Sequence, residues 1–203
     1  MRIGAIIIAA GASERMGQPK TLMPIDGRPA LITLASRVSE AGFAPVVTVT
    51  STAIQIKLTE FDFRGPVVIN TETFKGPLHS FRLGLQTLPE NAMAALLCPV
   101  DHPLVRMDTL LKLKATASAT SVIVPCFKGR RGHPTLFGRG LWPLIFSLPL
   151  EEGARGVLHR RPEVVTLLEV DDPGVVQNLN TPADIQNADR MFPWDVHGHE
   201  NTE

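Results

Sequence analysis

The chain has 203 residues, 44% of them hydrophobic and 20% charged, a composition that excludes a disordered or collagenous protein. At roughly 100–200 residues per domain, the length predicts one domain over residues 1–191 and a polar, aperiodic tail, 192–203, expected to be flexible. Twenty Lys and Arg balance twenty Asp and Glu. That neutrality argues against nucleic acid or an anionic membrane as partner, so any work on anions must rest on a local cluster of cations and backbone N–H groups.

In chain order, the apolar run Ile3–Ala9 predicts a first buried strand. Its short β-branched core and the Ser13-Glu14-Arg15 that follow set it apart from a signal peptide. A helix is expected over Ala30–Ala41, stopped by Gly42, then a strand over Pro45–Thr50, a helix over Thr52–Phe61 and a strand over Val67–Asn70. A helix over Ser80–Leu88 precedes a strand over Ala94–Val100. A helix over Asp108–Ala119, with Asp108 as N-cap, precedes a strand over Ser121–Pro125. Gly129-Arg130-Arg131-Gly132 reads as a turn leading to a short strand, Thr135–Phe137. Helices over Gly140–Ser147 and Glu151–Arg160, a strand over Val164–Val170 and a helix over Thr181–Met191 complete the chain. The last helix has Thr181 as cap and Pro182 at its first position.

This alternation implies an α/β fold with an open, mostly parallel sheet and a small antiparallel part after Ser121. No apolar run reaches the ~18 residues of a membrane span. Cys98 and Cys126 read as buried thiols in a reducing compartment, so a cytoplasmic location is expected.

The residues that carry chemistry directly follow the first strand, in Ala9-Ala10-Gly11-Ala12-Ser13-Glu14-Arg15-Met16-Gly17-Gln18-Pro19-Lys20. Ligands of open α/β sheets sit outside the carboxyl ends of the strands. Small residues here let backbone N–H groups approach an anion, and Arg15 and Lys20 add two charges. The loop is neither a P-loop, since five residues separate Gly11 from Gly17 and Lys20 stands three past Gly17, nor a GxGxxG fingerprint, since Ser13 and Met16 stand where glycine is required. Asp101 follows an apolar strand, so its carboxylate belongs at the same sheet edge, either as a metal ligand or as a cap. Asn178 and Asn180 are candidate helpers through their amide carbonyls, or simply turn residues before Thr181-Pro182.

The loop resembles the nucleotide-binding signature of MobA-like nucleotidyltransferases, A-[AG]-G-x-S-x-R-M-G-x-x-K, with every fixed position filled. The resemblance continues in Asn70, Gly76 and Ser80, in Pro99-Val100-Asp101-His102-Pro103-Leu104, in Gly132-His133-Pro134, in Gly153-Ala154-Arg155 and in Asn178-Leu179-Asn180-Thr181-Pro182. The Gly-His-Pro turn is the one typical of molybdenum cofactor cytidylyltransferases.

The resemblance implies a three-layer α/β/α nucleotidyltransferase of glycosyltransferase-A type. It implies Mg²⁺-dependent transfer of a nucleoside monophosphate from an NTP to a phosphorylated small-molecule acceptor, most like molybdopterin. CTP is favoured, because Ala10 stands where guanylyltransferases carry glycine. It further implies a molybdoenzyme or its chaperone as a transient partner. Carried over residue by residue, Lys20, Arg15 and Asp101 are catalytic. Ala9, Ala10, Gly11, Ala12, Ser13, Arg15, Lys20, Asn70 and Ser80 bind nucleotide. His102, His133, Arg155 and Asn180 bind acceptor, and Asp101, Asn178 and Asn180 hold the metal.

The sequence departs from the family where close members carry Asp at both outer positions of the last segment, since both are Asn here. The Gly-Asp that normally leads the Gly153-Ala154-Arg155 segment is also missing. A different phosphorylated metabolite as acceptor, such as a sugar phosphate, and a non-catalytic nucleotide-binding accessory role are therefore the alternatives.

Overall fold

The structure is a computed structural model that describes residues 2–11, 19–25, 27–179 and 184. Its strands are β1 (Arg2–Ile8), β2 (Pro24–Ile25), β3 (Arg28–Pro29), β4 (Val46–Thr50), β5 (Val67–Ile69), β6 (Ala92–Pro99), β7 (Val122–Phe127), β8 (Arg130–Arg131), β9 (Thr135–Gly138) and β10 (Val165–Glu169). Its α-helices are α1 (Ala30–Glu40), α2 (Thr52–Leu58), α3 (Gly76–Thr87), α4 (Met107–Ala115), α5 (Trp142–Ser147) and α6 (Gly156–Arg160).

One sheet runs β10-β7-β9-β6-β1-β4-β5, with β8 paired to β7; β2 and β3 form a separate small hairpin. β1 lies between β4 and β6 and is parallel to both. β9 runs antiparallel to both β6 and β7. Because of that reversal, β9 begins where β6 ends, with Thr135 opposite Leu97. The turn ahead of β9 therefore reaches the carboxyl edge of the parallel strands.

Side chains of a strand alternate between its two faces. Ile3, Ala5 and Ile7 accordingly join one core with Leu31, Leu34 and Val38 of α1. Ile6 joins the other with Phe81 and Leu85 of α3. The buried positions of α1, from Ala30 and Leu31 to Leu34, Ala35 and Val38, follow the three-to-four spacing of one helix face. The result is the expected α/β class with helices on both sides of a mostly parallel sheet.

Several boundaries move for local reasons. α3 starts four residues earlier than periodicity suggests. Gly76, at φ +80°, ends the preceding turn, and Pro77 fits the first helical turn because it needs no amide partner there. The helix expected over Glu151–Arg160 is broken. Gly153 at φ +63° separates a 3-10 turn, Leu150–Glu152, from α6. The helix expected through Phe61 is α-helical only to Leu58 and tightens to 3-10 over Thr59–Phe61.

Asp108 is not the N-cap of α4. Arg106 occupies that position, and Asp108 is the second helical residue, its Oδ1 accepting from the Thr109 N–H at 2.9 Å. Arg130 and Arg131 are strand rather than turn, the reversal being made by Lys128 and Gly129 at φ +50° and +75°. The expected helix at Thr181–Met191 and the tail lie outside the described residues.

The β7–β8 hairpin is held against the segment after β10. The Gly132 N–H donates to Pro125 O and the His133 N–H to Val175 O, each at 2.8 Å. A Cβ on Gly132 would stand 2.2 Å from Val175 O. Gly132→Ala is therefore expected to cost about 1–3 kcal/mol through a forced backbone shift, a fall of about 3–10 °C in Tm for a domain of this size. Thermal unfolding followed by circular dichroism checks this, and an unchanged Tm would show that the contact yields freely.

Candidate active site

An open cleft of about 1140 Å³ lies at the carboxyl edge of the sheet. Its floor is the end of β1. There the Thr21 and Thr50 hydroxyls both donate to Ala9 O at 3.3 Å, and the Ala9 N–H donates to Val49 O at 2.8 Å. Ala9 is thus buried with both backbone groups engaged, and the chain emerges into the cleft at Ala10 and Gly11. Ala12, Ser13 and Arg15 lie outside the described residues.

Lys20 opens a 3-10 turn, Lys20–Leu22, and brings its Nζ within 3.9 Å of Asp101 Oδ2. Each of the two side chains is 26% exposed. Asp101 sits in the turn after β6. The Val100 N–H donates to Ile8 O, tying that turn to β1, and the His102 N–H donates to Pro99 O. The backbone carbonyl of Asp101 accepts from the Leu179 N–H at 2.8 Å. That contact sets Asn178, an exposed residue, on the wall of the same cleft. Asn180 lies outside the described residues.

His102 and His133 also line the cleft, with ring centroids 5.0 Å apart. Burial holds His133 down to about pKa 4, His102 adds to the effect, and the Asp101 carboxylate opposes it. Burial lowers His102 as well, against the Asp101 charge and the Val175 carbonyl. Both imidazoles are neutral at pH 7, so they can offer hydrogen bonds without adding charge.

Asn70 is buried and does not reach the cleft. Its amide donates to Ser80 Oγ at 2.9 Å, and its Oδ1 accepts from the Glu72 N–H at 2.8 Å. Asn70 therefore shapes the wall, whereas Ser80 lines it. Arg155, exposed at the start of α6, lines the cleft as well.

One structural anchor is absent from the reading of the sequence. Asp172 is fully buried and accepts the Arg106 N–H on Oδ2 and the Gly174 N–H on Oδ1, each at 2.8 Å. It fastens the segment that carries Val175 and Asn178 to the loop following Asp101. Its trace in the sequence is the Asp172-Pro173 pair, a cap followed by proline at the first turn position.

Residues 5–165 match the MobA-like NTP transferase domain. The chain belongs to that family. This MobA-like chain is a nucleotidyltransferase, which sets aside the non-catalytic accessory role. It is 28% identical to the molybdenum cofactor guanylyltransferase of Rhizobium meliloti (strain 1021), over 94% of this chain and 92% of that protein. The crystal structure of Rv0371c from Mycobacterium tuberculosis H37Rv superposes with a TM-score of 0.80 at 25% identity, covering 92% and 97% of the two chains. Rv0371c has also been solved in complex with manganese; that structure superposes with a TM-score of 0.68 at 24% identity, covering 84% and 88%. The relatives whose names carry molybdenum cofactor are guanylyltransferases, not cytidylyltransferases. No helix among the described residues is long and apolar enough to cross a membrane.

The depressed His133 has a consequence for stability. The unfolded chain takes up the proton near pKa 6.5 and the folded one only near 4. Stability from this group is thus complete above pH 6.5 and is lost as pH falls toward 4, by at most about 3 kcal/mol. Urea unfolding at steps from pH 7.5 to 4.5 should show a steeper acid loss in the native chain than in His133→Gln. Parallel curves would refute a half-buried imidazole held neutral.

Proposed function

We propose that this enzyme transfers a nucleoside monophosphate from an NTP to the terminal phosphate of a phosphorylated acceptor, and that the acceptor is molybdopterin. The observation that carries this reading is the meeting of Lys20 and Asp101 across the ends of β1 and β6, in a cleft floored by Ala10 and Gly11. An acceptor phosphate oxygen attacks the α-phosphorus, the bond to the bridging oxygen breaks, and pyrophosphate leaves. A phosphate monoester with a second pKa of ~6 is already ionised at pH 7, so no general base is needed. Catalysis is then positioning and charge neutralisation.

The described lining holds Lys20, Lys75 and Arg155 against Asp101, Glu151 and Glu152. This balance leaves a triphosphate of about four negative charges unneutralised. The donor set fits a hard divalent cation. Asp101 supplies a carboxylate and Asn178 an amide carbonyl, and no group of three His, Cys, Asp or Glu side chains among the described residues forms an all-protein cage. Mg²⁺, which takes one or two protein oxygens and completes its shell with phosphates and water, matches that set. When bound there it supplies charge neutralisation at the phosphates; Asn180 is a further candidate ligand.

Lys20 and Arg15 hold phosphate oxygens, and backbone N–H groups from Ala10 to Ser13 cradle them. Neutral His102 and His133 offer hydrogen bonds to the acceptor, and Arg155 and Asn180 are its further ligands in this reading. Residues 1–191 act as one domain. The buried thiols Cys98 and Cys126 fit the reducing cytoplasm, and a molybdoenzyme or its chaperone would receive the product.

Asp101→Asn keeps the shape and removes the charge. It should lower Mg²⁺-dependent pyrophosphate release by about 100-fold or more and leave Tm nearly unchanged, since its carboxylate faces Lys20 and the cleft rather than a helix terminus. A stability loss of about 1 kcal/mol with turnover retained would instead make Asp101 a cap.

CTP is the proposed donor because the Ala10 methyl lines the cleft where a purine needs room. A second reading, GTP, is favoured by the guanylyltransferase relatives. One methyl is worth about 1–3 kcal/mol in a tight pocket. Calorimetric titration with CTP and with GTP in Mg²⁺ is expected to show tighter CTP binding, and tighter GTP binding would overturn the choice.

A further inference from the structure

Phe74 is 82% exposed, the most exposed of the large hydrophobic side chains described, and it lines the cleft. A single exposed apolar side chain needs no explanation by itself, so the weight falls on where this one stands and how it is held. It is the middle residue of the 3-10 turn Thr73–Lys75, between β5 and α3.

The turn is fastened on both sides. The Glu72 N–H donates to Asn70 Oδ1, and the Asn70 amide donates to buried Ser80. The Lys75 N–H donates to Glu72 O at 2.9 Å, and Lys75 Nζ pairs with Glu72 Oε1 at 2.6 Å. His79 Nε2 lies 3.5 Å from the other Glu72 oxygen. At Gly76, φ +80° and ψ −177° form a backbone that only glycine adopts readily, and a Cβ placed there would meet nothing within 4 Å. A rigid turn thus presents a bare aromatic face beside open space.

The sheet order decides which ligand reaches that face. Asp101 follows β6, on one side of β1, whereas Phe74 follows β5, two strands away on the other side. His102 and His133 stand with Asp101 on the β6 and β9 side. With the acceptor assigned to His102 and His133 on the β9 side, as in the reading above, a nucleotide whose phosphates meet Lys20 and Asp101 extends its base toward β5.

We propose that Phe74 is a stacking platform for the nucleobase of the NTP, a role that rests on the nucleotide-transfer reading above. Every base has a π-face, so the platform adds affinity while leaving base identity to the Ala10 side of the cleft.

The test compares Phe74→Ala and Phe74→Trp with the native chain by calorimetry, using an NTP with Mg²⁺ and, as a base-free probe, inorganic tripolyphosphate with Mg²⁺. Phe74→Ala should weaken NTP binding about 5- to 100-fold and leave tripolyphosphate within about twofold of native. Phe74→Trp should keep native NTP affinity, and its added fluorescence should be quenched by the NTP but not by tripolyphosphate. NTP binding unaffected by Phe74→Ala, equal losses for both probes, or an effect confined to the KM of the phosphorylated acceptor would each overturn the platform while leaving nucleotide transfer standing. A native chain that binds no NTP would remove both readings together.

Discussion

The backbone of β1 is buried on both faces and must find partners along both edges. β4 and β6 supply them, each in parallel register, and an unpaired peptide group there would cost as much as a lost hydrogen bond. This requirement fixes more than one strand. It makes β1, β4 and β6 end together, and it brings the exits of β1 and β6, at Ala10 and Asp101, to a common opening. The bonds that close the ladder, Ala9 to Val49 and Val100 to Ile8, also leave Ala10 and Asp101 free to face ligand. The cleft follows from satisfying buried peptide groups, and the charged side chains are placed by it.

Asp101 shows how a weakly specified side chain becomes a well-placed one. Among the described residues its carboxylate pairs with Lys20, at 3.9 Å, and both are partly solvated. The strength lies in the backbone, held by Leu179 and stiffened by the buried Asp172 carboxylate across the neighbouring loop. A carboxylate held by its main chain keeps its position when the charge beside it changes, as it must when a polyanion enters and leaves.

Much of this was legible in the residues. The Ile-rich first strand, the helix stopped by Gly42 and the buried cysteines stand as read, because each depends on local periodicity or on one glycine. The β7–β8 reversal was also visible, though one residue out of place. Gly76-Pro77 reads as a breaker yet opens a helix, since glycine and proline are tolerated at a first turn that needs no amide partners. Gly153 hides inside an apparently periodic stretch, and only its positive φ shows that the helix stops.

At the site, residues from seven separate segments of the chain meet, and no spacing rule predicts that. Asn70 carries a motif position but spends its amide on Ser80, a distinction that only tertiary contacts draw. Phe74 was invisible for a simpler reason: an aromatic residue between Thr and Lys carries no pattern that separates core from rim.

The reversal of β9 gives the site two sources of wall. Residues 10–11, 73–80 and 100–102 reach the cleft after leaving parallel strands, whereas His133 reaches it just before entering an antiparallel one. The second group hangs on a hairpin whose tip, Lys128–Arg131, is exposed and bonds to no part of the β1–β4–β5 ladder. Changes of length or charge at that tip can therefore accumulate without disturbing the other wall. A fold divided this way lets one wall of the cleft change while the other stays fixed.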